Sequence, residues 1–81
     1  LPVARPPAGI AAGAHVDPTA WIDASASIGP GACVGARSRV GARTVVAANA
    51  TLAADVEVGA DGWIHSGAVL REGTRVGDRV V

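Results

Sequence analysis

A parallel β-helix with three six-residue segments in each coil is the fold predicted for this 81-residue chain. Two observations predict it. Val, Ile or Leu stands at every sixth position from Val16 through Ile22, Ile28, Val34, Val40, Val46, Leu52, Val58, Ile64 and Leu70 to Val76, eleven in a row without a miss. Charges also recur with opposite sign eighteen residues apart. A period of six matches neither the two of an isolated strand nor the 3.6 of a helix.

Each hexad reads as one short strand and one bend. The aliphatic residue points inward, and the residue two places earlier shares its face of the strand. That earlier position is small or short throughout: Ala14, Ala20, Ala26, Ala32, Ser38, Thr44, Ala50, Val56, Gly62, Ala68 and Thr74. Gly, Asn and Asp at the bends accept φ > 0, where other side chains are strained. One coil cannot bury its own apolar face, so coils must stack. Burying each aliphatic side chain contributes roughly 1.5–3 kcal/mol.

The charges fix the coil length. Side chains one coil apart lie about 4.8 Å from one another. With eighteen residues per coil, Arg39, Glu57 and Arg75 form one column, Arg43, Asp61 and Arg79 another, and Arg37 sits beside Asp55. Every neighbouring pair is then opposite in sign. A six-residue coil would instead set Arg37 on Arg43, Asp55 on Asp61 and Asp17 on Asp23, and like charges directly opposed are destabilising. Trp21 heads the first column, with Arg39 placed for a cation–π contact.

Residues 1–13, "LPVARPPAGIAAG", are Pro-rich at the start and read as an extended linker. Residues 14–81 then form the β-helix, about 3.5 coils. The C-terminal "RVGDRVV" stops inside a hexad without a cap. With a start other than Met, this gives the expectation that the chain is an interior piece of a longer protein.

Composition agrees and excludes several functions. The chain is 49 % hydrophobic yet has no Phe, Tyr or Met, as a narrow interior requires. Seven Arg balance seven Asp plus Glu, so neither a nucleic-acid footprint nor a polybasic membrane patch is present. No segment reads as a membrane span or a signal peptide, and the expected location is cytoplasmic. Cys33 is the only cysteine, read as a free thiol on an outward wall position; it forms no disulfide framework and no CxxC metal site.

The hexads resemble those of the hexapeptide-repeat acyltransferases. Two stretches are similar to the family of UDP-3-O-acylglucosamine N-acyltransferases of lipid A synthesis. They are "RPPAGI…HVDPTAWIDASASIGPGACVG", Arg5 to Gly35, and "NATLAADVEVGADGWIHSGAVL", Asn49 to Leu70. The resemblance implies a left-handed helix and a homotrimer with active sites between subunits. It also implies transfer of a 3-hydroxyacyl group from acyl carrier protein to the 2-amino group of a UDP-glucosamine derivative, with a histidine as general base and no metal or other cofactor. The sequence departs from the family after Leu70. "REGTRVGDRVV" continues in hexad phase where the family leaves the helix, and the family's later His-containing catalytic stretch has no counterpart.

No catalytic residue is therefore expected in this segment. His65 is the one candidate, a base or substrate contact at a subunit cleft; a surface histidine bonded to nearby backbone is the preferred reading. His15 reads as a turn residue at the helix entrance, and two distant histidines fall short of the three ligands of a zinc centre. Ser25, Ser27, Ser38 and Ser66 show no nucleophile elbow and read as bend or wall residues. "GADG" at Gly59–Gly62 is no phosphate loop, because no helix follows it. Trp21 and Trp63 both precede an inward aliphatic and point outward; a subunit face, or contact with a further domain, is expected there.

The reading is thus scaffold and trimer wall of an N-acyltransferase. The alternatives are a small non-catalytic hexapeptide-repeat assembly protein or an acetyl-CoA-dependent acyltransferase. An ice-binding solenoid is disfavoured, since Thr19, Thr44, Thr51 and Thr74 share no column.

Overall fold

A computed structural model describes residues 6–80. They form an all-β solenoid of twelve two-residue parallel strands: β1 (Gly9–Ile10), β2 (His15–Val16), β3 (Trp21–Ile22), β4 (Ser27–Ile28), β5 (Cys33–Val34), β6 (Arg39–Val40), β7 (Val45–Val46), β8 (Thr51–Leu52), β9 (Glu57–Val58), β10 (Trp63–Ile64), β11 (Val69–Leu70) and β12 (Arg75–Val76). Every third strand pairs, giving three four-stranded walls. The first wall holds β1, β4, β7 and β10, the second β2, β5, β8 and β11, the third β3, β6, β9 and β12. The register is eighteen residues, with Gly9 beside Ser27, His15 beside Cys33 and Trp21 beside Arg39.

The helix begins earlier than residue 14. Ile10 lies one hexad before Val16, and β1 pairs with β4. The stack therefore has four rungs rather than about 3.5. The Pro-rich composition before it hid the phase, because Ile10 has no hexad upstream. Nor are all the preceding residues a free linker: the Ser27 hydroxyl donates to the carbonyls of Pro6 (3.2 Å) and Pro7 (3.0 Å), placing them against the outside of the first wall. Residues 1–5 of the expected linker and Val81 of the expected helix lie outside the described residues.

The inward residues form the core. Ile28, Val34, Val40, Val46, Leu52, Val58 and Ile64 are buried, as are Ala26, Ala32, Ala50 and Val56 beside them. Val16, Ile22, Leu70 and Val76 are half-buried at the two ends of the stack.

Two inward hydroxyls extend the stack's hydrogen bonding. Most bends close with a carbonyl-to-N–H bond across three residues, such as Ala50 N to Ala47 O. At two bends a hydroxyl from the rung below is inserted instead. Ser38 Oγ accepts from Val56 N (3.1 Å) and donates to Ala53 O (2.6 Å). Thr44 Oγ1 accepts from Gly62 N (3.2 Å) and donates to Gly59 O (2.5 Å). A polar group buried without partners would cost about 1–3 kcal/mol; here both hydroxyls are satisfied.

The bends come in two kinds. In most, the third residue has φ > 0, as a type II turn requires. Gly fills some of these positions, but Arg37, Arg43, Asn49, Asp55, Asp61 and Arg79 also sit at φ of 58–63°. Arginine was not expected there. The bend after β2 begins Asp17-Pro18-Thr19 and the one after β3 begins Asp23-Ala24-Ser25; neither has a positive φ, and Asp first with Pro second suits a type I turn. The central peptide of a type I turn is flipped relative to type II. In most type II bends the second residue's carbonyl receives the next rung, as Ala36 O receives Asp55 N and Ala42 O receives Asp61 N, both at 2.8 Å; in the first, the third residue's carbonyl, Gly13 O, receives Gly31 N at 3.2 Å. In the two type I bends a hydroxyl takes its place: Thr19 Oγ1 accepts from Arg37 N and Ser25 Oγ from Arg43 N, both at 2.9 Å.

Candidate functional site

The outward positions of the three walls differ sharply. Along the first wall they read Gly9, Ser27, Val45 and Trp63; along the second, His15, Cys33, Thr51 and Val69; along the third, Trp21, Arg39, Glu57 and Arg75. Every charged residue among the described ones lies on the third wall or on the bends at its two edges.

Among the described residues, three of the five pairs expected from the spacing form ion pairs, and Arg39 is in none of them. Arg37 makes a bidentate pair with Asp55, Nε to Oδ1 at 2.8 Å and the terminal nitrogen to Oδ2 at 3.0 Å. Arg43 does the same with Asp61 at 2.7 and 2.9 Å. Arg75 Nε stands 3.3 Å from Glu57 Oε2. Hydrogen bonding to Asp55 holds the Arg37 guanidinium above its ordinary pKa, and the same bonds hold the Asp55 carboxyl below its own. The Thr19 hydroxyl, then the Thr19 N–H, lowers the pKa of Asp17; the Ser25 hydroxyl and N–H do the same for Asp23. These side chains are exposed or half-buried at the surface, so their effect on stability is modest and screened by salt.

His65 sits on the bend after β10, exposed, above the small residues Ala47 and Gly29. Its ring lies 6.4 Å from that of Trp63, tilted by 33°. The structure does not bring it to His15, which projects from the second wall beside Cys33. Trp21 and Trp63 do not share a face. Trp21 stands 54 % exposed at one end of the third wall, while Trp63 is half-buried on the first. Identical hexad positions gave them one reading; the walls separate them because their spacing of 42 is not a multiple of eighteen.

Ser25, Ser27 and Ser38 are engaged in the structural bonds already described, and Ser66 is exposed. Among the described residues, no group of three or more His, Cys, Asp or Glu side chains is placed to hold a metal ion. No helix among them is long and apolar enough to cross a membrane.

A shallow groove of about 370 Å³ lies on the third wall, lined by Trp21, Arg39, Glu57, Arg75 and Asp78. Glycines form its floor: a Cβ on Gly41 would stand 2.6 Å from the Gly59 carbonyl carbon, so side chains are excluded where the rungs approach. Period-two alternation around the inward aliphatics could have pointed to this Gly41-Gly59-Gly77 line beside the charged column. No protein-family model matches the chain, and no curated protein matches it.

Proposed function

We propose that this chain is a structural wall: a rigid scaffold segment of a hexapeptide-repeat acyltransferase, contributing assembly surface and no catalytic group. One observation carries the reading. At the edges of the third wall, acids and hydroxyls are engaged in joining rung to rung, in Asp17–Thr19–Arg37, Asp23–Ser25–Arg43 and the two bidentate ion pairs. Chemistry needs such groups to converge on one reacting atom. Here they are distributed along the axis, one per rung at each edge of the third wall.

The transferase part of the proposal rests on the resemblance of Arg5–Gly35 and Asn49–Leu70. In that reading the intact enzyme is a cytoplasmic homotrimer that moves a 3-hydroxyacyl group from acyl carrier protein to a UDP-3-O-acylglucosamine, without a cofactor. His65 is then a surface residue. The test is acyl transfer measured with 3-hydroxyacyl-acyl carrier protein and UDP-3-O-acylglucosamine. The 81-residue chain alone is expected to give no turnover. In the intact enzyme His65→Ala is expected to leave turnover within a few-fold, where loss of a general base costs about 10²–10⁴-fold. Turnover by the isolated chain, or a thousandfold loss with the fold intact, overturns the reading. The exposed Trp21 on a charged wall favours a second reading, a small non-catalytic assembly protein. Binding of acyl carrier protein separates the two.

A further inference from the structure

We propose that the third wall is a self-complementary contact surface, and that it takes a second copy of this chain packed antiparallel about a two-fold axis. From one end of the stack to the other the outward column reads Trp21, Arg39, Glu57, Arg75. A two-fold axis lying between facing walls and parallel to the strands reverses this order in the partner. Trp21 then meets the partner's Arg75, Arg39 meets the partner's Glu57, and the same two contacts repeat by symmetry. All four are attractive: two ion pairs at the centre, flanked by two cation–π contacts.

Parallel facing would instead put Arg39 on Arg39, Glu57 on Glu57 and Arg75 on Arg75. The column therefore selects the orientation as well as the partner.

The groups involved are those the single chain leaves available. Trp21 is 54 % exposed, and Arg39 makes no ion pair among the described residues. Glu57 has one partner, Arg75, at 3.3 Å, and a carboxylate can accept from two arginines. Trp and Arg are among the residues most enriched in the energetic centres of interfaces. Beside the column, Gly41, Gly59 and Gly77 carry no side chains, and the Asp78 side chain that overlies Gly59 is held in place by the Ala60 N–H (2.8 Å).

The other two walls lack this pattern. On the first, Pro6 and Pro7 already lie against Ser27. On the second, His15, Cys33, Thr51 and Val69 carry no opposed charges. The contact rests on the third-wall column alone and not on the transferase reading. The patch is small, so association is weak, concentration-dependent and weakened by salt.

The test is charge complementation followed by sedimentation equilibrium over a concentration series. Wild type is expected to be a monomer–dimer equilibrium. Arg39→Glu sets a second carboxylate against the partner's Glu57, and Glu57→Arg sets a second guanidinium against the partner's Arg39. Each variant alone is therefore expected to stay monomeric. An equimolar mixture makes every facing pair attractive again and is expected to dimerise, with quenching or a blue shift of Trp21 fluorescence. Should either variant lose its cooperative melt, Arg39→Gln or Glu57→Gln replaces it, with weakened self-association expected. The proposal is overturned by a wild type that is monomeric at every concentration, by a mixture of folded variants that stays monomeric, or by an oligomer that ignores the substitutions. A substitution-resistant trimer in particular would favour the three-fold assembly of the transferase reading.

Discussion

The first and third walls share one interior and differ outside. Both are lined by branched aliphatics in the same register: Ile10, Ile28, Val46 and Ile64 in one, Ile22, Val40, Val58 and Val76 in the other. Outside, the first wall is uncharged and largely covered, with Ser27 at 6 % and Val45 at 2 % exposure. The third is charged, grooved and open. A β-helix separates two instructions that a globular core combines. The inward residue of each hexad specifies the fold, and its outward neighbours are free to specify a surface. Whatever this chain recognises is written in the second set.

Several measurements sharpen or break this comparison. Outward substitutions are expected to matter on the covered wall and not on the open one. Val45→Asp buries an unpaired charge beneath the first wall's cover and is expected to cost about 3 kcal/mol in urea unfolding. A loss near zero would mean that the first wall is open like the third. Inward truncations should not distinguish the walls: Val46→Ala and Val40→Ala are each expected to lose about 2 kcal/mol, equal within error. A clear inequality would show that the interior is not uniform. Thr44→Val and Ser38→Ala each remove one inserted hydroxyl and leave a buried N–H and carbonyl unpaired, for about 1–3 kcal/mol apiece.

The acid limb comes next. The folded pKa values of Asp17, Asp23 and Asp55 lie below their unfolded ones. Their stabilisation is therefore present above the unfolded carboxylate range, about pH 4, and is lost as pH falls through the lower folded values. The melting temperature should be level from about pH 7 to 5 and decline below about 4. A decline starting near neutrality would point to other groups. Glu57→Gln on the third wall should change stability least, by less than about 1 kcal/mol and less again in high salt.

Much of this architecture was legible in the sequence because a solenoid repeats its instructions. The unbroken hexad phase from Val16 to Val76 and a sign-alternating charge column both point to stacked coils, and the Arg37–Asp55 and Arg43–Asp61 pairs follow from the eighteen-residue coil alone. What stayed hidden is what a repeat does not encode. Ile10 could not declare its phase from behind two prolines. Arginine at φ near 58° contradicts backbone preference locally; Arg37 and Arg43 each combine an N–H bond to the rung below with an ion pair to the rung above. The Ser38 and Thr44 insertions read as mere small residues, because size and hydrogen-bonding role look alike in a one-dimensional pattern. Trp21 and Trp63 shared a hexad position, and only the wall count places them apart.

The separation of inside from outside is tested most directly at two adjacent residues of β6. Arg39 points out and is exposed; Val40 points in and is fully buried. Arg39→Asp and Val40→Asp place the same carboxylate one residue apart, and their thermal melts can be compared at neutral pH and dilute enough to exclude association. Arg39→Asp is expected to melt cooperatively within about 0.5 kcal/mol of wild type, as surface substitutions do. Val40→Asp is expected to show no cooperative transition, because an unpaired charge in the dry interior costs about 3–5 kcal/mol or more in so small a domain. Equal melts for the two variants would contradict the account.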